Sequence, residues 1–323
     1  MQYRKFGRTG WQVSDIGYGM WGMGGWTGSD DEESLNSLQL AADLGCNFFD
    51  TAFVYGSGHS ENLLGQLVRA NPDKKLYTAT KIPPKNMAYP TLPEYTLDEC
   101  YPPEHIEEFL HKSLKNASLE NFDLLQIHTW NDDWTDDDGW SDMLDSLKSQ
   151  GLIKACGISI NRWEPWNGVK AVRSGKIDSV QVVYNVFDQN PEDDLFPACE
   201  EMDVAVIARV PFDEGSLTGT MTLDTTFPDG DFRNGYFAAD KIGPIIEHVE
   251  ALKLIIPADS TMPETVLRYI LSHRAVSTII PGMRKANHVE SNIRASDLGP
   301  LNAELLTRLH DHRWVRKPAP SSI

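Results

Sequence analysis

Four side chains able to move protons stand at the ends of short apolar runs. Phe48-Phe49 leads into Asp50, with Tyr55 shortly after it; Leu76–Thr80 ends in Lys81; Leu124–Ile127 runs into His128. A carboxylate, a phenol, an ammonium and an imidazole are groups that general acid–base catalysis uses. Each alone has a plain structural role: Asp50 as a helix cap, Tyr55 as a packed ring, Lys81 and His128 as surface residues. Their recurrence at consecutive strand ends asks for an architecture that brings them to one rim.

Such an architecture is written along the chain. Eight runs read as strands: Ile16–Gly19, Asn47–Asp50, Leu76–Lys81, Leu124–His128, Ala155–Ser159, Ser179–Tyr184, Ala205–Arg209 and Ser277–Ile280. Stretches of helical spacing lie between them, such as Ile106, Phe109, Leu110 and Leu114, or Trp140, Met143, Leu144 and Leu147. The gaps are long enough for crossover helices, so the strands are expected to pair in parallel. The expectation is an α/β (β/α)8 TIM barrel, one domain over residues 1–323, with a doubly wound sheet as the runner-up. Three segments exceed a minimal barrel: an N-terminal hairpin at 1–13, a long Gly-, Thr- and Asp-rich loop at 212–240 after the seventh strand, and a tail at 315–323. The long loop is read as a cofactor-covering lid.

Composition narrows the function. A chain of 323 residues with 41% hydrophobic and 24% charged residues is globular in kind. Its 29 Lys and Arg against 47 Asp and Glu leave a net charge of −18, which repels a phosphate backbone. No apolar stretch reaches a membrane span, and Met1–Lys5 leads into no signal-peptide core. The widely spaced Cys46, Cys100, Cys156 and Cys199 fit a reduced cytoplasmic protein and no zinc cluster. Asp132, Asp133, Asp136, Asp137 and Asp138 miss calcium-loop spacing and read as a solvated loop. No metal is expected.

Two motifs mislead. Gly17-Tyr18-Gly19-Met20-Trp21-Gly22 matches a dinucleotide fingerprint, yet the glycine-rich run that follows cannot start the helix such a motif needs. Its glycines are read as letting backbone pass close to a ligand. Tyr77-Thr78-Ala79-Thr80-Lys81 has the spacing of a Tyr-x-x-x-Lys pair, but the run alternates as a strand.

At these residues the chain resembles the aldo-keto reductases, over nearly its whole length from Arg4-Lys5-Phe6-Gly7-Arg8-Thr9-Gly10 to Asn292. The strongest match is Asn47-Phe48-Phe49-Asp50-Thr51-Ala52-Phe53-Val54-Tyr55-Gly56, followed by Ser60-Glu61 and Leu64-Gly65. The resemblance implies a nicotinamide-dependent reduction of aldehydes or ketones and a catalytic tetrad at Asp50, Tyr55, Lys81 and His128. A phenol near pKa 10 is a poor acid at neutral pH. An ammonium about 4 Å away is worth up to about 4 kcal/mol at an effective dielectric of 20, hence roughly 3 pKa units on Tyr55. Asp50 would keep Lys81 charged and aimed, and His128 would donate to the carbonyl oxygen.

The resemblance also implies a cofactor site: Met20, Trp21, Ser159, Asn161, Gln181, Arg209, Pro211, Phe212, Gly215, Leu217, Gly282, Arg284, His288 and Asn292. Three departures stand out. An extra residue separates Ser159 from Asn161, Arg209 replaces a tyrosine, and His288 replaces an arginine. NADPH is the expected cofactor, with NADH the alternative. The expected partner is a small carbonyl compound, with no nucleic acid and no membrane. Trp21, Phe53, Trp130 and Trp26 are candidates for the substrate mouth. A cofactor-sensing subunit on the same barrel, as in potassium-channel β-subunit relatives, and a metal-dependent barrel hydrolase are the competing readings.

Overall fold

The structure is a computed structural model that describes residues 1–25, 28–160 and 164–316. Among the described residues ten strands alternate with helices: β1 Tyr3–Phe6, β2 Trp11–Ser14, β3 Tyr18–Gly19, β4 Phe48–Asp50, β5 Tyr77–Ile82, β6 Phe122–Ile127, β7 Ile153–Ser159, β8 Ser179–Val183, β9 Ala205–Arg209 and β10 Val276–Ile279. Strands β3 to β10 form one parallel sheet in sequence order. Parallel bridges from Ile16 to Ile279 and from Gly19 to Gly282 bring its two edges together. The result is a (β/α)8 barrel.

Closure explains the early glycines. A Cβ on Gly17 would stand 2.9 Å from Thr278 Oγ1 and 3.0 Å from Phe48 O, and one on Gly19 would stand 2.5 Å from Ile280 O. Gly17 lets strand approach strand, and the reading that it admits a ligand is corrected there; Gly19 passes close to the Ile280 carbonyl and also lines the cleft described below. A 3-10 turn, Trp21–Met23, follows them where a dinucleotide fold would start a helix.

The helices follow from pattern and ends. Helix Pro103–Ala117 has proline in its first turn, where a missing N–H costs nothing, and buries Ile106, Leu110, Leu114 and Ala117. Helix Gly139–Ser149 buries Trp140, Leu144 and Leu147. Helix Met262–Ser272 starts at Thr261, whose hydroxyl accepts from the Glu264 amide. Asp132, expected in a solvated loop, accepts from the Lys170 and Ala171 amides at the start of helix Val169–Ser174. Among the described residues no helix is long and apolar enough to cross a membrane, and no side-chain cluster could hold a metal.

Two apolar cores result. The larger lies between sheet and helices. The smaller fills the lower barrel with Phe48, Tyr77, Ala79, Leu124, Ala155, Ala205, Ile207 and Ile280, sealed below by Phe6 and Val13 of the antiparallel β1–β2 hairpin. Phe6 is fully buried and packs on Phe48, with ring centroids 5.3 Å apart. Phe6→Ala is expected to cost about 3–5 kcal/mol of unfolding free energy by denaturant titration, because a cavity opens in the floor that no neighbour can fill.

Candidate active site

Side chains alternate along a strand, so a residue two places beyond an inner-core residue faces the barrel axis one layer higher. That step runs from Phe48 to Asp50, from Ala79 to Lys81, from Leu124 to Gln126 and from Ile207 to Arg209. The lower barrel is apolar; its upper rim is polar. Gln126 went unassigned in the sequence, though its parity with Leu124 and His128 was the signal.

The rim centres on Lys81, whose side chain is 0% exposed. Its Nζ donates to Asp50 Oδ2 at 2.5 Å, to the Thr51 carbonyl at 2.8 Å and to Tyr55 Oη at 3.3 Å. The other carboxylate oxygen, Asp50 Oδ1, accepts from Gln126 Nε2 at 3.0 Å and Gln181 Nε2 at 2.9 Å. Gln181 also donates to Gln126 Oε1 at 3.2 Å. Burial lowers the Lys81 pKa, but Asp50 and Tyr55 more than offset it, and the pKa is raised.

Tyr55 reaches this ammonium from a tight turn. The Phe53 amide donates to the Lys81 carbonyl, and Gly56, at φ 68°, passes so close to the Gly24 carbonyl that a Cβ would lie 2.4 Å from it. In the next helix, buried Glu61 accepts from Thr80 Oγ1 at 2.6 Å and Asn116 Nδ2 at 2.8 Å. The expectation of a net acidified phenol needs correcting. Burial first, and then Asp50, raise the Tyr55 pKa, and together they outweigh the lowering by Lys81 and Arg209. In the protein alone the phenol therefore holds its proton at neutral pH.

His128 follows β6 and is kept neutral. Burial, then Lys81 and Arg209, push its pKa well below the ordinary imidazole value. Its Nδ1 is buried without a hydrogen-bond partner. The ring stands edge-on to Tyr55 at 6.0 Å and to Tyr89 at 5.2 Å. The Tyr89 hydroxyl is likewise buried and unpartnered. Nothing in the loop sequence marked Tyr89.

Beside this rim lies a cleft of about 370 Å³ lined by Met20, Trp21, Gln181, Arg209, Pro211, Phe212, Gly215, Gly282, Arg284 and His288, with Asp50 and Tyr55. Glu214, Phe232 and Arg233 line it from the 212–240 segment expected to cover the cofactor, and Val210 and Lys285 line it without having been anticipated. Ser159 ends β7 in register with Gln181. Asn161 and Trp26 lie outside the described residues. Leu217 and Asn292 are buried and do not line the cleft: Leu217 packs in the outer core, and Asn292 lies in helix Ala286–Asp297. Trp130 is fully buried against Trp134 and Trp140, with its indole N–H on Asp132, because these three neighbours give it a better site than the mouth. Phe53 is half-buried against Phe109, and Trp21 meets Phe232 edge-on.

The cleft fits a phosphate-bearing dinucleotide. Arg209 Nε and Arg284 Nη1 are buried without hydrogen-bond partners, a costly state that an anionic ligand would relieve. Built Cβ atoms at Gly215 and Gly282 would meet nothing within 4 Å, so the walls leave room. Gln181 offers less than the sequence implied, because its amide nitrogen is engaged by Asp50 and Gln126. The wall after β9 is strained: Val210, Asp213 and Glu214 have φ of 53°, 46° and 55°. Left-handed backbone costs a non-glycine residue about 1–2 kcal/mol, so this turn needs support from elsewhere.

The family model for the aldo/keto reductase family matches residues 15–313, and the chain belongs to that family. It is an NAD(P)-dependent oxidoreductase that reduces carbonyl groups. The aldo-keto reductase yakc [NADP(+)] of Schizosaccharomyces pombe is 29% identical, over 90% of this chain and 86% of the relative. The NADH-specific methylglyoxal reductase of Escherichia coli is 26% identical, over 92% and 94%. The glycerol dehydrogenase structure from Gluconobacter oxydans superposes with a TM-score of 0.77 at 26% identity, covering 96% of this chain and 94% of that one.

Glu214 gives the cleft a pH signature. Burial and Asp213 push its pKa up to about 7, against Arg209, Arg233 and Arg316. A raised folded pKa favours the folded state fully below the ordinary carboxylate range, and that benefit is lost as pH rises through about 7. Glu214→Gln is therefore expected to gain thermal stability relative to the parent between pH 5 and about pH 8. Melting curves across that range that stay parallel would count against this.

Proposed function

We propose that this protein reduces small aldehydes or ketones with NADPH, using Tyr55 as the general acid. The observation that carries the reading is the Lys81 ammonium bonded at once to Asp50 and to the Tyr55 hydroxyl. When bound, the reduced nicotinamide supplies the hydride. The chain's own residues handle the oxygen. Tyr55 gives its proton to the carbonyl oxygen as negative charge develops there, and the adjacent ammonium stabilises the phenolate left behind. Asp50 holds the ammonium in place, with Gln126 and Gln181 holding Asp50. Neutral His128 has one N–H to orient the carbonyl.

NADPH is preferred over NADH because Arg284 and Lys285 line the cleft, with an Arg284 nitrogen lacking a partner. Burial and these two cations keep His288 neutral, so it offers a 2′-phosphate less than an arginine would. The segment 212–240 is proposed to cover the cofactor: Phe212, Phe232 and Arg233 line the cleft, while Met221, Tyr236 and Phe237 anchor it in the core. The free, buried state of all four cysteines supports a reducing, cytoplasmic setting.

Tyr55→Phe is expected to lower carbonyl turnover by about 10²–10⁴-fold while NADPH affinity, read by fluorescence titration, stays within about twofold. Near-normal turnover would remove Tyr55 from the acid role. Arg284→Gln is expected to shrink the ratio of kcat/KM for NADPH over NADH by about tenfold, the factor that 1.4 kcal/mol represents. An unchanged ratio would move 2′-phosphate recognition elsewhere.

A further inference from the structure

The strained turn Val210–Gly215 is held from behind by the segment Trp314–Arg316. Trp314 donates its amide to the Phe187 carbonyl at 2.9 Å and stacks on His248 with centroids 4.0 Å apart. These contacts deliver Arg316 beneath the loops that follow β8 and β9, where its side chain is 7% exposed. Its Nη2 meets Asp188 Oδ2 at 2.7 Å and its Nη1 meets Asp213 Oδ1 at 2.9 Å. Tyr236 donates its hydroxyl to the same Asp213 oxygen, and Ser216 Oγ donates to the other at 2.6 Å. Asn185 Nδ2 links the anchor to the far end of the turn, reaching Asp188 Oδ2 at 3.0 Å and the Val210 carbonyl at 3.1 Å. Both ends of the strained wall are therefore tied to one buried guanidinium.

The charge balance gives this arrangement its force. Asp188 and Asp213 are two buried carboxylates facing one cation. Without the cation they repel, and a buried carboxylate without a counterion is costly. A β-branched valine at positive φ persists only where its surroundings over-determine it. We propose that Arg316 is a positioning residue for cofactor retention: anchored on Asp188, it holds Asp213 and so keeps Val210–Gly215 in the shape that lines the cleft. This inference rests on the NADPH reading. The residues that touch the cofactor would be those of the turn that line the cleft, Val210, Pro211, Phe212, Glu214 and Gly215; Asp213 and Arg316 act through them.

The test compares Arg316→Met, Arg316→Lys and Asp213→Asn with the parent protein, using Phe6→Ala as a control for general destabilisation. NADPH fluorescence titration is expected to show the dissociation constant rising at least tenfold in Arg316→Met and at least threefold in Asp213→Asn. Arg316→Lys should recover part of the loss, and Phe6→Ala should bind normally. Single-turnover reduction at saturating NADPH should stay within threefold of the parent, a split a merely structural role would not produce. Amide exchange at 210–216 in the cofactor-free protein should quicken in Arg316→Met and Asp213→Asn alone. Binding within twofold of the parent, or unchanged exchange at 210–216, in whichever of these two variants folds would overturn the inference. A parent protein that fails to bind NADPH would instead overturn the cofactor reading, and the exchange experiment would still decide whether Arg316 holds the turn.

Discussion

A lysine that is fully buried and still charged is the constraint around which the upper barrel is built. Lys81 keeps its proton because Asp50 faces it at 2.5 Å, and Asp50 stays usable because two glutamine amides occupy its second oxygen. Removing one partner from such a pair leaves an uncompensated charge in a poorly polarisable interior, at about 3–5 kcal/mol. Four strands contribute to this network: β4, β5, β6 and β8. Its geometry is thus only as good as the barrel's register, and a slip on any one strand would turn the polar side chain outward.

The barrel meets that demand by dividing its interior into layers. Below, aromatic and aliphatic side chains fill the axis and the β1–β2 hairpin closes the floor. Above, the same strands carry Asp50, Lys81, Gln126, Gln181 and Arg209. The packed floor fixes the height at which the polar layer begins and excludes water from beneath it. To one side, Arg209, Arg233, Arg284 and Lys285 line a cleft in a protein whose net charge is −18. Cations gathered at one mouth of an otherwise acidic surface give a phosphate-bearing ligand a directed place to bind.

Much of this was legible residue by residue. Strand runs and helical stripes announced the barrel because both depend on local periodicity. The apolar runs ending in Asp50, Lys81 and His128 located the rim because a strand end is a sequence-level landmark. The misreadings share one cause. Trp130 and Leu217 were assigned by their neighbours in sequence, whereas packing decides whether an aromatic or aliphatic group faces a cleft or a core. Gly17 was assigned to a ligand because nothing local shows that β10 passes beside it. Gln126 was overlooked although its parity with Leu124 was visible; Tyr89, in an irregular loop, carried no pattern at all.

The amino-acid sequence by itself determined the order of strands and helices, the parity that puts polar groups above apolar ones, and the types of group available for proton transfer. Periodicity and chemical identity are local properties, and a chain carries them wherever it goes. Tertiary structure alone decided which charges stay charged and which strained turns survive. The Tyr55 phenol is less acidic than an ammonium neighbour predicts because burial and the nearby Asp50 carboxylate outweigh the attraction, and both are set by the whole barrel. Arg316, about a hundred residues along the chain from Asp213, became part of the cleft's support for the same reason: desolvation and ion pairing act through space, between groups whose meeting no stretch of sequence records.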